Sequence, residues 1–196
     1  MYKIASNLYP WIERRLDGLE IPRSSRSLLS VSCHDVVIEH HLAVFTLISA
    51  KIYGSAFTLT RPIFETFVRG VWLRHCADED DLIKYQKDKI EPKFQTLLDA
   101  IEETEAFKSK SLSALKGQAW HAMNSYVHGG IQQISRRLSS GEIYPDFLER
   151  EIDEVVRLSQ TFALLSFIQI AVESKRDDLA HEALELLYKL DLFKNH

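Results

Sequence analysis

The chain has 196 residues, of which 45% are hydrophobic and 27% are charged, and its formal net charge is −4 at pH 7. This length predicts one globular domain, spanning residues 1–196, whose core needs neither disulfides nor a bound metal. The acidic balance excludes a broadly basic surface for nucleic acid or anionic lipid, and the scarcity of glycine (seven) and proline (five) argues against a turn-rich β fold.

Apolar residues recur at three- and four-residue spacing through most of the chain, which predicts an all-α, single-domain helical bundle of about seven to nine helices. In chain order, the first predicted helices cover about Pro10–Leu19, Ser25–Tyr53, Ser55–Cys76, Asp80–Asp88 and Pro92–Phe107. Gly54 marks the end of the second helix or a bend. Pro62 either starts the third helix near Thr60 or kinks it there.

The second half of the chain continues the helical pattern. The predicted elements are helices over about Ser111–His128 and Pro145–Glu173, a short piece over Ile131–Leu138, a turn at 139–141, and a final helix over about 175–192. Gly129-Gly130 predicts a sharp end to the helix before it. Ser174 to Asp177 has the spacing of a capping box for the final helix. The stretch Phe162–Val172 is apolar nearly all round and should lie at the centre of the bundle.

Two cysteines, Cys33 and Cys76, lie in apolar segments, and we expect buried free thiols in a reducing compartment. The first 20 residues have no secretory signal pattern. The longest apolar runs, Leu42–Ala50 and Phe162–Val172, are shorter than a membrane span. We therefore expect a cytoplasmic protein that does not associate with a membrane.

Arg61, Glu65 and Arg69 follow one another at four-residue spacing, so they share one face of a helix that is otherwise apolar. Charges that are partly buried must be paired. The pattern is therefore typical of a structural Arg–Glu–Arg ladder, in which loss of Glu65 would strand a charge. It also suits a site that binds an anion.

A second polar stripe contains His121, Asn124, Ser125 and His128, which lie on one side of their helix. Two imidazoles on one face can act as base and acid, or hold a phosphate. The alternative interpretation is a solvated face whose last histidine lies favourably at the negative end of the helix dipole.

A third cluster combines histidines and carboxylates in residues 34–41: His34, Asp35, Glu39, His40 and His41. A two-metal helical bundle requires Glu-x-x-His on two helices, and no histidine here has a glutamate three residues before it. We therefore predict that these side chains are solvated or pack between helices, with no metal and no cofactor. Phosphate-binding loops and the nucleophile elbow of α/β-hydrolases are also absent from the sequence.

The run from Tyr53 to Glu65, continued by Arg69-Gly-Val-Trp-Leu, and the later motif Ser125-Tyr-Val-His128 followed by Gly-Gly resemble a group of uncharacterised bacterial all-helical families. Those families carry Arg-x3-Glu on an early helix and Ser-x2-His on a later one. The resemblance covers about residues 30–175 and leaves the C-terminal helix outside.

More remotely, these families resemble the HEPN superfamily of helical bundles, which are often dimers. Many HEPN domains are metal-independent ribonucleases in phage defence or toxin–antitoxin systems, and others are non-catalytic. Their signature is an arginine, four to six residues, then a histidine, which Arg69 and His75 match. Gly70 occupies the position where those nucleases carry a polar residue. The resemblance implies a homodimer that acts on RNA.

These features lead to two hypotheses. In the first, the protein is a HEPN-like ribonuclease or RNA-binding effector with catalytic residues Arg61, Glu65 and His128, and with Arg69, His75 and Ser125 in secondary roles. Arginine would hold the phosphate, Glu65 would orient the arginine, and His128 would be base or acid. In the second, it is a non-catalytic helical homodimer that binds a cognate protein partner or a small ligand. The first hypothesis requires Arg61 and His128 to share one cleft.

Overall fold

A computed structural model describes residues 2–89, 92–139 and 142–190, and these form an all-α bundle, which confirms the predicted fold class. The helices are α1 (Tyr2–Leu16), α2 (Ser25–Ser49), α3 (Tyr53–Thr58), α4 (Thr60–His75), α5 (Glu79–Gln86), α6 (Phe94–Glu102), α7 (Ser111–Val127), α8 (Ile131–Ile134), α9 (Glu149–Glu173) and α10 (Asp177–Lys189). A 3₁₀ turn at Ser135–Arg137 leads into two short antiparallel strands, β1 (Leu138–Ser139) and β2 (Glu142–Ile143).

Two long helices, α2 and α9, form the centre of the bundle. α2 packs closely against both α4 and α9. On one side of this pair lies a large apolar cluster with α4, α6 and α7, which includes Phe64, Phe67 and Phe162. On the other side lies a second cluster with α1 and α10, which includes Ile12 and Phe167. α2 and α9 therefore contribute to both halves of the core.

The contact between α2 and α9 contains two buried histidine–serine hydrogen bonds. Nδ1 of His34 lies 3.2 Å from Oγ of Ser166, and Nδ1 of His41 lies 3.0 Å from Oγ of Ser159. The two histidines are seven residues apart, and so are the two serines, in the opposite order along the chain. The helices therefore run antiparallel in one fixed alignment. Two of the three histidines of the third cluster, His34 and His41, thus have the predicted helix-packing role, at 0% and 1% exposure.

The contact between α2 and α4 depends on a glycine. A Cβ atom built on Gly70 would lie 2.8 Å from two ring atoms of His34 and 3.1 Å from Cβ of Cys33. The hydroxyl of Ser30 donates a hydrogen bond to the carbonyl oxygen of Gly70, over 2.9 Å. Gly70 therefore allows the two helix backbones to approach, which explains why a side chain is absent immediately after Arg69.

By length and composition alone, α2 and α9 could each cross a membrane, with mean hydropathies of 1.2 and 1.6 over their most apolar stretches. In the bundle they pack on each other, and 61% of the α9 stretch is buried. The core helix of a soluble protein has the same properties, so they carry little weight as a sign of membrane insertion.

Several predicted boundaries are wrong at the N-terminal half. The first helix begins at Tyr2, so Pro10 lies inside it rather than in its first turn. The second helix ends at Ser49, because Lys51 adopts a positive φ of 59°, and Gly54 lies within α3. α3 ends before Leu59, and α4 begins at Thr60, which is one of the two predicted alternatives.

Three boundaries in the second half also differ. α6 ends at Glu102, whose side chain turns to the start of α7 and accepts hydrogen bonds from the backbone N–H and hydroxyl of Ser113. The long helix α9 starts at Glu149 rather than at Pro145. The predicted capping box at Ser174 is wrong, because Ser174 is the C-cap of α9 and donates its hydroxyl to the carbonyl of Ile170. The predicted turn at 139–141 lies partly outside the described residues.

The close approach at Gly70 generates a first prediction. Gly70→Ala should lower the free energy of unfolding by about 1–3 kcal/mol, because the new methyl group must displace the His34 ring. Urea denaturation measures this change. Gly117→Ala is the matched control, since a Cβ there meets nothing within 4 Å, and alanine should stabilise α7 by about 0.5–1 kcal/mol. Equal effects of the two substitutions would contradict the packing argument.

The buried histidines predict acid sensitivity. Burial lowers the pKa of His34 from 6.5 to about 3 and that of His41 from 6.5 to about 4. Between pH 6.5 and these values the unfolded chain binds more protons than the folded chain, so stability falls as the pH falls. At about pH 5, each histidine should lower the free energy of unfolding by about 2 kcal/mol relative to its value at neutral pH.

The free energy of unfolding measured by urea denaturation from about pH 7 to pH 5 checks this slope. His41→Gln removes one titrating ring and should reduce the slope by about half over that range. A slope unchanged by this substitution would show that other groups govern the acid response.

Candidate functional site

The candidate site lies where the start of α4 meets the end of α7. A turn at Leu59 separates α3 from α4, and Arg61 lies in the first turn of α4. Pro62 is tolerated in this turn because its nitrogen needs no hydrogen-bond acceptor there. α7 ends at Val127, His128 is its C-cap residue, and Gly129 follows with a φ of +64°. This left-handed residue reverses the chain after α7, as Gly129-Gly130 predicted.

The structure brings Arg61, Glu65 and His128 together. Nε of Arg61 donates to Oε1 of Glu65 over 3.0 Å, and Nη2 lies 3.0 Å from the same oxygen. Nη1 of Arg61 lies 3.0 Å from Nε2 of His128. The Arg61 and Glu65 side chains are 22% and 24% exposed, while His128 is exposed. One guanidinium therefore bridges a carboxylate on its own helix and an imidazole that lies 67 residues later.

The direction of the Arg61–His128 hydrogen bond assigns the tautomer of the His128 ring. A guanidinium has donors and no acceptor, so Nε2 of His128 must accept. This hydrogen bond therefore assigns the tautomer in which the ring proton lies on Nδ1. This leaves a basic nitrogen directly beside a cation, at the exposed end of α7.

Aromatic side chains support the guanidinium. The central carbon of Arg61 lies 4.8 Å from the centre of the Trp120 ring, within range of a cation–π interaction. Trp120 stacks on Phe94 with centroids 5.0 Å apart and planes 10° apart. Nζ of Lys116 lies 5.4 Å from the Trp120 ring. Trp120 and Lys116 were missed by the sequence reasoning, although Trp120, Asn124 and His128 follow at four-residue spacing.

Ser125 has a structural role in the described structure. Its Oγ accepts a hydrogen bond from the backbone N–H of Gln132 over 3.0 Å, and its carbonyl accepts from the N–H of Gly130 over 2.7 Å. A Cβ on Gly130 would lie 2.4 Å from Oγ of Ser125. The Ser-x2-His-Gly-Gly motif thus shapes the turn that presents His128, and Ser125 contacts the turn rather than Arg61.

The other members of the stripe do not join Arg61. His121 is exposed. Oδ1 of Asn124 is buried and has no hydrogen-bond partner among the described residues.

The secondary residues Arg69 and His75 belong to two different environments. Arg69 lines a small pocket with Tyr85 and other residues of α5 and the following loop. His75 lies on the other side of α4, where it hydrogen-bonds Gln169 and neighbours Glu173. The structure therefore does not assemble the Arg-x5-His pair into one site. Six residues along a helix turn the second side chain about 120° away from the first.

The predicted Arg–Glu–Arg ladder forms only in its first half. Glu65 pairs with Arg61, and among the described residues it makes no ion pair with Arg69. The expectation that partly buried charges are paired is thus confirmed for Arg61, and for Arg69 it stays a prediction.

One family model matches residues 34–190, and it describes a family of unknown function. The match extends beyond the expected family-like region and includes α10. No curated protein and no solved structure matches the chain.

The partial exposure of the Arg61–Glu65 pair determines how much the pair contributes to the free energy of unfolding. Because both side chains remain in contact with water, Glu65→Gln should lower the free energy of unfolding by about 1 kcal/mol, rather than the 3–5 kcal/mol typical of a stranded buried charge. Glu105→Gln, in the exposed pair with Lys108, is the control and should change it by less than about 0.5 kcal/mol. A loss above about 3 kcal/mol for Glu65→Gln would show that the pair is effectively buried.

Proposed function

We propose, from the geometry of its residues, that this protein is HEPN-like and acts on RNA. The chain belongs to the family DUF6988, whose function is unknown. In this proposal it is a metal-independent ribonuclease or an RNA-binding effector in phage defence or a toxin–antitoxin system. The observation that supports it is the 3.0 Å contact between Arg61 and His128. A phosphate-binding cation and a neutral imidazole base are thereby adjacent on the surface.

Substrate binding would begin at the guanidinium. Arginine holds a phosphate through parallel N–H groups, and such charge-assisted bonds are stronger than its bond to a neutral imidazole. Nη1 of Arg61 would therefore turn from His128 to a phosphate oxygen. Glu65 and the Trp120 ring would hold the guanidinium in place. This exchange frees Nε2 of His128 at the position where the phosphate arrives.

The chemical step uses the ribose of the substrate itself. Nε2 of His128 takes the proton of the 2′-hydroxyl, and the 2′-oxygen forms a bond to phosphorus as the bond from phosphorus to the 5′-oxygen breaks. The leaving 5′-oxygen takes a proton from water. Arg61 neutralises the charge that develops on the phosphorane oxygens. The products are a 2′,3′-cyclic phosphate and a 5′-hydroxyl.

The local charge is compatible with RNA although the chain as a whole is acidic. Arg61 and Lys116 place two cations around Trp120, and Glu65 is the carboxylate bonded to Arg61. In keeping with this function, we also propose that the protein is cytoplasmic and homodimeric.

A second candidate function has its own support. Five large apolar side chains within residues 131–148 are between 48% and 86% exposed: Ile131, Ile134, Ile143, Tyr144 and Leu148. Exposed apolar side chains in one region are typical of a surface that binds another protein. The alternative is therefore a non-catalytic helical homodimer that binds a protein partner or a small ligand, in which the Arg61–Glu65 pair joins α4 to α7.

Cleavage of labelled single-stranded RNA in excess EDTA tests the ribonuclease. We expect wild-type protein to release fragments with 2′,3′-cyclic phosphate ends, and His128→Ala and Arg61→Gln each to lower the rate by about 10²–10⁴-fold. A DNA oligonucleotide of the same sequence should remain intact, because it lacks the attacking 2′-hydroxyl.

His121→Ala is the matched control, since His121 is also an exposed histidine of α7 but does not contact Arg61. It should cleave at the wild-type rate. Equal inactivity of wild type and His128→Ala on total RNA, with no difference in RNA binding between wild type and Arg61→Gln, would refute the proposal and leave the non-catalytic homodimer.

A further inference from the structure

A cavity of about 220 Å³ opens between α3, α7 and α9. Phe57, Met123 and Tyr126 contribute to its lining and are between 3% and 7% exposed, so this part of the wall is the surface of the packed core. Ala122 on the opposite rim is half-buried and Glu154 is exposed. The cavity is therefore a hollow that a ligand can enter from solvent.

Polar side chains are held in place at one end of the cavity. Nη2 of Arg136 donates to Oε1 of Glu151, and Arg136 is also hydrogen-bonded to Tyr126. Oε2 of Glu151 accepts from the backbone N–H of Leu148 over 3.1 Å, so the cap of α9 fixes this network. Arg136 and Glu151 offset each other, and Glu154 adds a second carboxylate to the lining. The surplus negative charge disfavours an anion in the cavity and favours a neutral ligand with N–H donors.

The size of the cavity restricts the ligand further. Its volume is below the roughly 300–1,000 Å³ of sites for drug-sized ligands and corresponds to about seven water molecules. Thr60 and Gln132 add a hydroxyl and an amide to the largely apolar lining. An apolar hollow with a few fixed polar groups is typical of a site for a small molecule. The cavity thus suits one planar ring system and is too small for a whole nucleotide.

The cavity and the candidate site lie on different sides of α7. At 3.6 residues per turn, Tyr126 points about 160° away from His128, and a helix with its side chains is about 10–12 Å across. Thr60, which lines the cavity, directly precedes Arg61 along the chain. A base in the cavity therefore belongs to a neighbouring nucleotide of a strand whose phosphate lies on Arg61.

We propose that the cavity between α3, α7 and α9 binds one unpaired base of the RNA substrate and prefers guanine. Guanine is neutral and planar, and its N1–H and exocyclic amino group donate side by side to the carboxylate of Glu154. Its ring lies against Phe57 and Met123, and the amide of Gln132 donates to its O6. Because the base is part of the same substrate, this assignment rests on the proposed function.

Isothermal titration calorimetry with the four ribonucleosides tests the pocket without any cleavage step. We expect wild-type protein to bind one guanosine per chain with a Kd of about 0.1–1 mM, and the other three nucleosides about tenfold more weakly or less tightly still. Glu154→Gln should remove this preference, because it takes away the charged acceptor. Glu149→Gln removes an exposed carboxylate of α9 that does not line the cavity, and it should bind guanosine as wild type does.

Filling the cavity provides a second test. Ala122→Leu places three additional carbon atoms in the hollow and should abolish guanosine binding. Ala114→Leu is the matched control, since Ala114 is an exposed alanine of the same helix outside the cavity, and it should leave binding unchanged. Ala119→Leu fills the hollow from the neighbouring turn and provides the test if Ala122→Leu fails to fold.

The outcomes separate the pocket from the ribonuclease. Guanosine binding that is lost in Ala122→Leu and retained in His128→Ala would support the pocket even if no RNA is cleaved. RNA cleavage by a wild-type protein that binds no nucleoside would overturn the pocket and leave the ribonuclease. Equal binding of all four nucleosides, or guanosine binding unchanged in Ala122→Leu, would also overturn it. So would an absence of nucleoside binding together with a change of oligomeric mass in Ala122→Leu, measured by light scattering, which would assign the cavity to a protein interface.

Discussion

The packing of α2 between α4 and α9 is the constraint on which the rest of the structure depends. One face of α2 approaches α4 closely enough that Gly70 has no room for a side chain. The other face meets α9 through the buried rings of His34 and His41. Because both apolar clusters adjoin this three-helix unit, the positions of the remaining helices follow from it. The neutral form of the two buried rings is a condition of that packing, which couples the integrity of the core to proton concentration.

The candidate site is formed by helix ends that this unit holds in place. α4 carries Arg61 at its start, immediately after the turn at Leu59, and His128 is the C-cap residue that follows α7. Neither residue lies in the tightly packed middle of its helix, so both remain accessible while their backbones are fixed. Arg69, by contrast, extends from the middle of α4 into a confined pocket. One helix therefore presents two cations in different surroundings: the first is paired with Glu65 at the surface, and the second lines a small pocket with residues of α5.

Local patterns were sufficient for the presence of the long helices, for the end of α7 shortly before Gly129, and for the pairing of Arg61 with Glu65, because each depends on residues close together in the chain. Features that depend on distant partners were not predictable. α6 stops early because Glu102 caps another helix, and the break at Leu59 has no glycine or proline signal at that residue. Arg69 and His75 fit a spacing rule, yet they have different neighbours, since spacing alone does not say which helix faces each side. The contact between Arg61 and His128 was a requirement of the first hypothesis, and its presence could only be established from the fold.

The paired spacing of histidines on α2 and serines on α9 has a consequence for how the two helices find each other. Leucine and valine tolerate sliding, because one apolar side chain can replace another after a shift of two turns. A seven-residue slide here would leave one imidazole facing the wrong neighbour and one hydroxyl without its acceptor or donor. Two polar contacts, separated by about 10 Å along each helix axis, thus specify the register of α2 against α9 and disfavour shifted registers of similar energy. Purely apolar substitutes at these positions could increase the thermodynamic stability of the fold while reducing its uniqueness.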